Sequence, residues 1–387
     1  MALTGAFRPR ALVHSAGSAA RIARLPIDFV LGDLCDRKCI EEAVKGCDMI
    51  VNLARGTDQV LTNGLENVLR AGSRYGIQRF VHVSSVAVYG DHPAPASRTE
   101  QATPKPGANL YGRDKLAQEM RVRRYASRRR MPTVILRPPN IYGPFSHFTV
   151  GLINRLRKGT LPLVDSGRNP CNLVYVDNLI EAILLALISP AAVQESFFVT
   201  DREEVTWQQC LEDHAALVGA PLPRVATSEL VSPRRSSKLL DSLRITPRVL
   251  VSGELRAVLR QIPLVESVEK FLWNRFDNLG PALKQRIRAR LQGPRFVAQE
   301  ITGGRKFELS DSLVLAQGRT VAHSCEKACR LLGYTAPVSY QEGMKLTAAW
   351  LRSARIITES EESDLETSQL TTAVDAESAD SLAQSYQ

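Results

Sequence analysis

The chain has 387 residues, of which 44% are hydrophobic, 23% charged and 6% aromatic. These values are typical of a globular protein and exclude a collagenous, disulfide-dense or wholly disordered chain. The net charge is +10, yet Thr358 to Gln387 holds eight acidic residues and no Lys or Arg. We therefore predict a basic globular body up to residue 357 and a disordered acidic tail over 358–387.

Cysteine usage and hydropathy bear on location. Seven cysteines are spread along the chain without a Cys-x-x-Cys pair, which favours reduced thiols and a cytoplasmic protein. No apolar run approaches a membrane span, and the first residues lack the apolar core of a signal peptide. His323, Cys325 and Cys329 lack the paired spacing of zinc sites, so no metal is expected.

From Arg10 to Leu187 short apolar segments alternate with amphipathic stretches, a pattern typical of a parallel sheet covered on both faces. The predicted strands are Ala11–His14, Asp28–Leu31, Met49–Leu53, Arg79–Ser84 and Thr133–Arg137. The predicted helices between them are Cys39–Lys45, Val60–Tyr75 and Tyr111–Arg129. This alternation predicts an α/β fold, a Rossmann-like doubly wound parallel sheet.

The later part of the chain has a weaker pattern. Phe197–Thr200 is predicted as a strand and Trp207–Leu217 as a helix. Apolar residues then recur at helical spacing from Leu255 to Leu272, and Leu283, Ile287 and Leu291 form an apolar stripe beside Lys284, Arg286, Arg288 and Arg290. Such a basic amphipathic helix can lie on a membrane surface, and ordinary packing with a solvated basic face is the alternative.

The sharpest chemical pattern combines Ser84-Ser85 with Tyr89-Gly90 at the end of a predicted strand and Tyr111 with Lys115 on the next helix. Tyr and Lys four residues apart share one helix face, so the ammonium can lie beneath the phenol and favour phenolate. A free tyrosine has a pKa of about 10 and needs such help near neutral pH. Ser85 would bridge the substrate oxygen and the Tyr hydroxyl.

Together with Leu136–Pro144, these motifs resemble the extended short-chain dehydrogenase/reductase superfamily, and within it the NAD-dependent epimerase/dehydratase family. The resemblance runs from about Arg10 to Thr206 and resumes near Leu331–Leu351. It implies Ser85, Tyr111 and Lys115 as catalytic residues and NAD or NADP as cofactor. The cofactor-binding residues that it implies are Asp33 near the adenine, Asn52, Leu53 and Ala54 along the cofactor, Tyr111 and Lys115, and Pro138, Pro139 and Asn140 near the nicotinamide.

Simpler roles remain open for several of these residues. Asp33 would then cap a turn, Asn52 would satisfy a strand edge, and the two prolines would stiffen a loop. Val174–Asn178 resembles the segment that joins the family's substrate lobe to its cofactor domain.

Three departures from the family pattern matter. The family opens with a strand, a Gly-x-x-Gly-x-x-Gly loop and a helix, whereas only Thr4-Gly5-Ala6 precedes the first predicted strand here, which resembles the family's second. A truncated chain, an internal loss and a loss of redox chemistry are the alternatives. His14-Ser15, with Arg21 and Arg24 nearby, replaces the acidic residue that binds the ribose of NAD and favours NADP. Cys171 stands where nucleotide-sugar enzymes often place an Arg, although Arg168 is close.

We therefore expect an NAD(P)-dependent epimerase, dehydratase or dehydrogenase that acts on a secondary alcohol or ketone. A nucleotide sugar is the favoured substrate. The alternatives are a 3β-hydroxysteroid-dehydrogenase-like or dihydroflavonol-reductase-like enzyme, and a silent binding or regulatory protein with this fold. Predicted domains are a shortened NAD(P)-binding domain (1–180) and a substrate lobe (181–357) with a helical basic insertion at about 232–319. Predicted partners are a nucleotide sugar or hydroxysteroid-like small molecule, a second copy in a homodimer and a membrane surface contacted through the basic helices, with no nucleic acid.

Overall fold

The computed structural model describes residues 5–20, 22–55, 60–226, 295–299, 301 and 306–357. The chain divides into one unit of Met1–Leu222 with Leu315–Gln387 and another of Pro223–Val314. The first unit contains the parallel strands, the helices that cover them and the candidate site. The predicted domain boundaries and the substrate lobe stay predictions, because much of residues 181–357 lies outside the described part.

The described strands are β1 (Arg10–Val13), β2 (Asp28–Leu31), β3 (Met49–Asn52), β4 (Arg79–Val83), β5 (Thr133–Arg137), β6 (Asn140–Tyr142), β7 (Leu163–Val164), β8 (Leu173–Tyr175), β9 (Ser196–Phe198), β10 (Arg224–Val225), β11 (Arg295–Gln299) and β12 (Lys306–Ser310). The described α-helices are α1 (Ala16–Ala19), α2 (Arg37–Val44), α3 (Leu65–Arg74), α4 (Leu110–Arg129), α5 (His147–Arg157), α6 (Val176–Ile188), α7 (Trp207–Ala216), α8 (Asp311–Gln317), α9 (Glu326–Leu332) and α10 (Tyr340–Ser353).

Polar side chains fix where several of these helices begin. Each accepts a hydrogen bond from a backbone N–H in the first turn, which stabilises a helix N-terminus. The capping residues are Asp36 for α2, Asn109 for α4, Ser146 for α5, Thr206 for α7 and Ser339 for α10.

The central sheet has four parallel strands in the order β3-β4-β5-β9. Alternate residues of β4 and β5 point to opposite faces, as the period of a strand requires. Val81 and Leu136 pack with α6 and α9 on one face, and Phe80 and Ile135 pack with α2, α3 and α4 on the other. Helices on both faces of a parallel sheet confirm the predicted doubly wound fold.

A second parallel pair, β1 with β2, forms a separate two-stranded sheet. Its residues are exposed or half-buried, whereas every residue of β4 and β5 is buried. The described residues before β1, 5–9, contain no strand or helix. The pair is therefore much less covered than the central sheet.

Most predicted elements agree with the observed ones to within one or two residues. The start of the predicted helix over Val60–Tyr75 differs, because Val60–Gly64 forms a π-helical turn before α3. Within the predicted helical insertion, β11 and β12 form an antiparallel pair that the sequence pattern did not indicate. The predicted helices at 255–272 and 284–291 and the acidic tail lie outside the described residues. Among the helices that are described, none has the length and apolarity to cross a membrane.

Candidate active site

A cavity of about 810 Å³ opens at the carboxyl ends of β3, β4 and β5. Parallel strands present loop residues at this edge, where α/β folds bind ligands. The predicted residues Leu53, Ser85, Tyr111, Lys115, Pro138, Pro139 and Asn140 all line it. The fold therefore brings together residues that lie up to 87 positions apart.

Ser85 directly follows the buried strand β4, in a turn that continues as a single 3-10 turn over Val86–Tyr89. Its Oγ accepts a hydrogen bond from the backbone N–H of Ala87 at 3.2 Å. The side chain is buried, and its hydroxyl lies near enough to Tyr111 to lower the pKa of that phenol. Ser85 is thus held where a substrate oxygen could meet both hydroxyl groups.

Gly112 explains why α4 comes so close to this turn. A Cβ at this position would collide with the carbonyl oxygen of Ala87, so only glycine permits the approach. Asn109 caps the helix by accepting from the N–H of Gly112 at 2.8 Å and donates to Asp91 at 2.8 Å. The close approach places Tyr111, in the first turn, beside Ser85.

The electrostatics of Tyr111 differ from the sequence expectation. Removal of the phenol from water raises its pKa, and the hydrogen bond with Ser85 and the positive charge of Arg55 oppose that rise. The Nζ of Lys115 is buried and donates to the carbonyl of Val83 at 3.0 Å. Desolvation, with repulsion from Arg55, lowers the pKa of Lys115 to about 8. In this structure Ser85 and Arg55, rather than Lys115, oppose the rise in the pKa of Tyr111.

A buried ion pair beneath these residues was not foreseen from the sequence. Arg137, the last residue of β5, donates to both carboxylate oxygens of Glu119 at 2.9 and 2.6 Å. Ser84 donates to the same carboxylate at 2.7 Å, and Arg137 also donates to the hydroxyl of Tyr89 at 2.8 Å. The pair therefore ties α4 to the ends of β4 and β5. The signal available was the spacing of Glu119, one helical turn beyond Lys115.

The residues predicted along the rest of the cofactor do not all reach the cavity. Asp33 accepts from the N–H of Cys35 at 2.8 Å, which is the turn-capping alternative. Asn52 is buried, accepts from the N–H of Ala54 at 3.3 Å and donates to Nδ1 of His82 at 3.1 Å. Asp33, Asn52 and Ala54 do not line the cavity, whereas Leu53 does and is 60% exposed.

The wall opposite the strands comes from the end of the chain. Arg319 lines the cavity and forms an ion pair with Asp91 at 2.7 Å, and Nδ1 of His323 donates to the carbonyl of Ser97 at 2.8 Å. Asn178, buried in α6, binds the backbone of Val338 through both side-chain atoms. These contacts seat the closing segment on the main unit.

The family position occupied by Cys171 is part of the core. Its side chain is 1% exposed and does not line the cavity, and burial raises the pKa of its thiol. Arg168 is exposed and does not line the cavity either.

The fold is a doubly wound parallel sheet with a cavity at its carboxyl edge, lined by Ser85, Tyr111 and Lys115. This arrangement is typical of Rossmann-like folds, the class that binds dinucleotides. Residues 10–199 match the sequence model of the NAD dependent epimerase/dehydratase family. This match agrees with the family that the motifs indicated.

Two curated relatives of the chain differ in the reactions that their names state. A 4-hydroxy-2-methyl-3-oxo-4-farnesyl-3,4-dihydroquinoline-1-oxide ketoreductase of Stigmatella aurantiaca is 32% identical over 50% of this chain and 60% of its own length. An N-acetyl-alpha-D-glucosaminyl-diphospho-ditrans,octacis-undecaprenol 4-epimerase of Escherichia coli O157:H7 is 27% identical over 50% and 61%. The match spans about three fifths of the length of each relative.

Solved structures support the fold over a larger share of the chain. The UDP-glucose 4-epimerase of Thermus thermophilus in complex with NAD has a TM-score of 0.56 and 20% identity, and the comparison covers 91% of this chain and 93% of that one. At this identity the similarity establishes the fold alone.

A nicotinamide dinucleotide is the cofactor that the family description implies, and its two ends fit the chain unequally. At the nicotinamide end, Tyr111, Lys115, Pro138 and Asn140 form one wall of an open cavity. At the diphosphate end, a helix N-terminus following the first strand would be needed. Among the described residues, the helix after β1 is only the four-residue α1. The residues present therefore fit the reactive end of the cofactor better than its diphosphate.

Proposed function

We propose that the protein is an NAD(P)-dependent oxidoreductase or epimerase that acts on a secondary alcohol or ketone, with Tyr111 as the acid and base. The observation that carries the proposal is that Ser85, Tyr111 and buried Lys115 line one cavity, with the Ser85 hydroxyl near enough to Tyr111 to oppose the rise in its pKa. When bound, the nicotinamide would accept or donate a hydride at the substrate carbon.

The chain's own residues would handle the proton. Tyr111 keeps its proton at neutral pH because its pKa is raised, so its O–H can donate to a substrate carbonyl oxygen. Ser85 would donate a second hydrogen bond to that oxygen and fix its position. The positive charge of Arg55 would stabilise the phenolate that remains.

Each of the two predicted substrate classes is supported by one relative. The E. coli relative acts on a sugar carried by a diphosphate, as its name states, which supports a nucleotide sugar. The Stigmatella relative is a ketoreductase for a farnesylated ring compound, which supports the steroid-like or dihydroflavonol-like class. NAD or NADP, the homodimer and the cytoplasmic location stay predictions.

The test is a comparison of Tyr111→Phe with the parent chain. Loss of the hydroxyl should lower turnover at least about a hundredfold, because a positioned general acid contributes that much or more. Reduction of a cyclic ketone would be followed as the loss of NADH or NADPH absorbance at about 340 nm. Epimerisation of UDP-glucose, which consumes no net cofactor, would be followed with NAD⁺ or NADP⁺ present by chromatographic separation of the two UDP-sugars.

Tyr75→Phe is the matched control, because Tyr75 lies at the end of α3, outside the cavity lining. An unfolding midpoint equal to the parent's would show that Tyr111→Phe folds. Equal turnover in Tyr111→Phe and the parent would disprove the role of Tyr111. Binding of cofactor without turnover of any alcohol or ketone would favour the silent binding protein.

A further inference from the structure

Phe145 has an unusual backbone conformation at the edge of the cavity. Its φ is +61°, in the left-handed region that bulky side chains rarely adopt. Of the six non-glycine residues with positive φ in the described part of the chain, Phe145 is the one that lines the cavity. Glycine would satisfy this backbone without strain. The phenyl ring is therefore present at a position where the backbone disfavours it.

The turn that holds Phe145 is fixed from both sides. The N–H of Ser146 donates to the carbonyl of Gly143 at 3.2 Å, and the hydroxyl of Ser146 donates to the carbonyl of Ile141 at 2.7 Å. That hydroxyl also accepts from the first turn of α5. Strained residues persist where the surroundings over-determine them, and they cluster at ligand sites.

The ring of Phe145 is largely accessible to solvent. It is 60% exposed, although one side contacts Trp350 of α10 at a ring-centroid distance of 5.1 Å. Phe148, one turn along, also lines the cavity and lies 6.4 Å from the ring of Trp207, a third lining residue. The cavity thus has an aromatic wall formed by Phe145, Phe148 and Trp207.

The charges around the cavity do not suit a diphosphate. Among the described residues that line it, the lysine and arginine side chains are Arg55, Lys115 and Arg319. Lys115 is committed to Val83 and Arg319 is neutralised by Asp91, which leaves Arg55, near Tyr111, as the one lysine or arginine of the described lining that could meet an anion. A diphosphate is usually held by free arginines or by helix N-termini. His147 is the ionisable residue of the segment that carries Phe145, and it is exposed.

We propose that Phe145 is a specificity-determining residue, whose ring binds the apolar ring of a neutral alcohol or ketone substrate against the aromatic wall. This inference rests on the proposed function and narrows its substrate to a ring compound that is not held through a diphosphate. Phe145 lines the cavity and is 60% exposed, and a stacked substrate ring would cover that exposed part.

The experiment measures binding of the neutral fluorescent probe N-phenyl-1-naphthylamine to the full chain. Phe145→Gly and Phe145→Asn both suit a positive φ and remove the ring, and each should weaken probe binding roughly tenfold or more. Phe145→Tyr should bind like the parent. Tyr75→Gly removes an exposed aromatic ring outside the cavity lining and should have no effect. UDP-glucose at millimolar concentration should not displace the probe.

Stability and cofactor binding complete the design. Phe145→Gly and Phe145→Asn should shift the thermal midpoint by no more than about 4 °C, because relief of backbone strain offsets the lost contact with Trp350. A much larger fall in both would assign Phe145 to packing and overturn the inference.

Three other results would also overturn it: no probe binding by the parent, parent-like binding by both ring-deleted variants, or displacement by micromolar UDP-glucose. A chain that binds the probe through Phe145 but neither binds NADH or NADPH nor reduces any ketone would instead disprove the proposed function, and the ring-binding wall would stand.

Discussion

The parallel strands of the doubly wound fold form two halves, the central sheet and the separate β1–β2 pair, which differ in how deeply their residues are buried. The half with β4 and β5 has every strand residue buried, and the Glu119–Arg137 pair ties its carboxyl end to α4. The half with β1 and β2 is a separate pair whose Leu31 and Phe29 are 65% and 39% exposed. Ser85, Tyr111 and Lys115 therefore stand on the well-buried half, whereas Asp33, which follows β2, stands on the more exposed one. Loss of cofactor affinity should be easier to produce than misplacement of Tyr111.

The largest expected effect on this comparison comes from Glu119→Ala. Arg137 is 2% exposed, and removing its partner leaves an uncompensated buried charge. We expect a loss of about 3–5 kcal/mol in the free energy of unfolding, measured by urea denaturation. Glu204→Ala is the control, because Glu204 pairs with Arg98 at the surface, where the two side chains are 66% and 58% exposed. Such a pair should contribute less than about 1 kcal/mol to the free energy of unfolding. Similar losses in both variants would mean that the buried pair does not hold this half.

The next effect depends on pH and is measured with Lys115→Met. The pKa of Lys115 is about 8 in the folded chain, below the value of about 10.4 expected when unfolded. Between these values the unfolded chain binds more protons, so this group makes the parent more stable as pH rises. Lys115→Met should be more stable than the parent at pH 6, and the difference should narrow by up to about 3 kcal/mol by pH 10.

Urea unfolding at pH 6, 8 and 9.5 measures that difference. A gap between parent and variant that is independent of pH would show that the buried ammonium is not desolvated in the way its surroundings indicate. Stability gained by both proteins in parallel would point to other titrating groups.

A smaller effect is expected from Gly112→Ala, which tests the close approach of α4. The added methyl group would meet the carbonyl of Ala87, and overpacking of this kind costs about 1–3 kcal/mol. Gly151→Ala is the matched control, because its Cβ would meet nothing within 4 Å and alanine favours a helix. Both are read from thermal melts. If Gly112→Ala melts like Gly151→Ala, the helix has room that the structure does not show.

The smallest effect should come from Leu31→Ala on the looser half. A side chain that is 65% exposed contributes within about 0.5 kcal/mol, whereas Leu136→Ala in β5 should cost about 2–5 kcal/mol. Urea denaturation gives the loss in the free energy of unfolding for each variant, and the two losses together show how differently the halves are buried. A loss above about 2 kcal/mol for Leu31→Ala would show that β2 is covered after all.

The sequence predicted the central sheet well because its strands are continuous apolar runs between turns, as in Arg79–Ser84 and Thr133–Arg137. It also placed Tyr111 and Lys115 on one helix face, since their spacing is local. The Glu119–Arg137 pair and the Asp91–Arg319 pair were missed because they join residues that only the tertiary fold brings together, 228 positions apart in the second case. The left-handed φ of Phe145 was missed because its residue type predicts the opposite.

The closing contacts of the cavity also constrain the order in which the protein can mature. Ser97 meets His323, and Asp91 meets Arg319, only after the whole unit of Pro223–Val314 has been synthesised between them. Domains fold as the chain emerges, so the strands and Ser85, Tyr111 and Lys115 can be in place while one wall is still missing. Until residues 319–323 have been synthesised, the nascent protein would therefore lack this wall and expose the cavity.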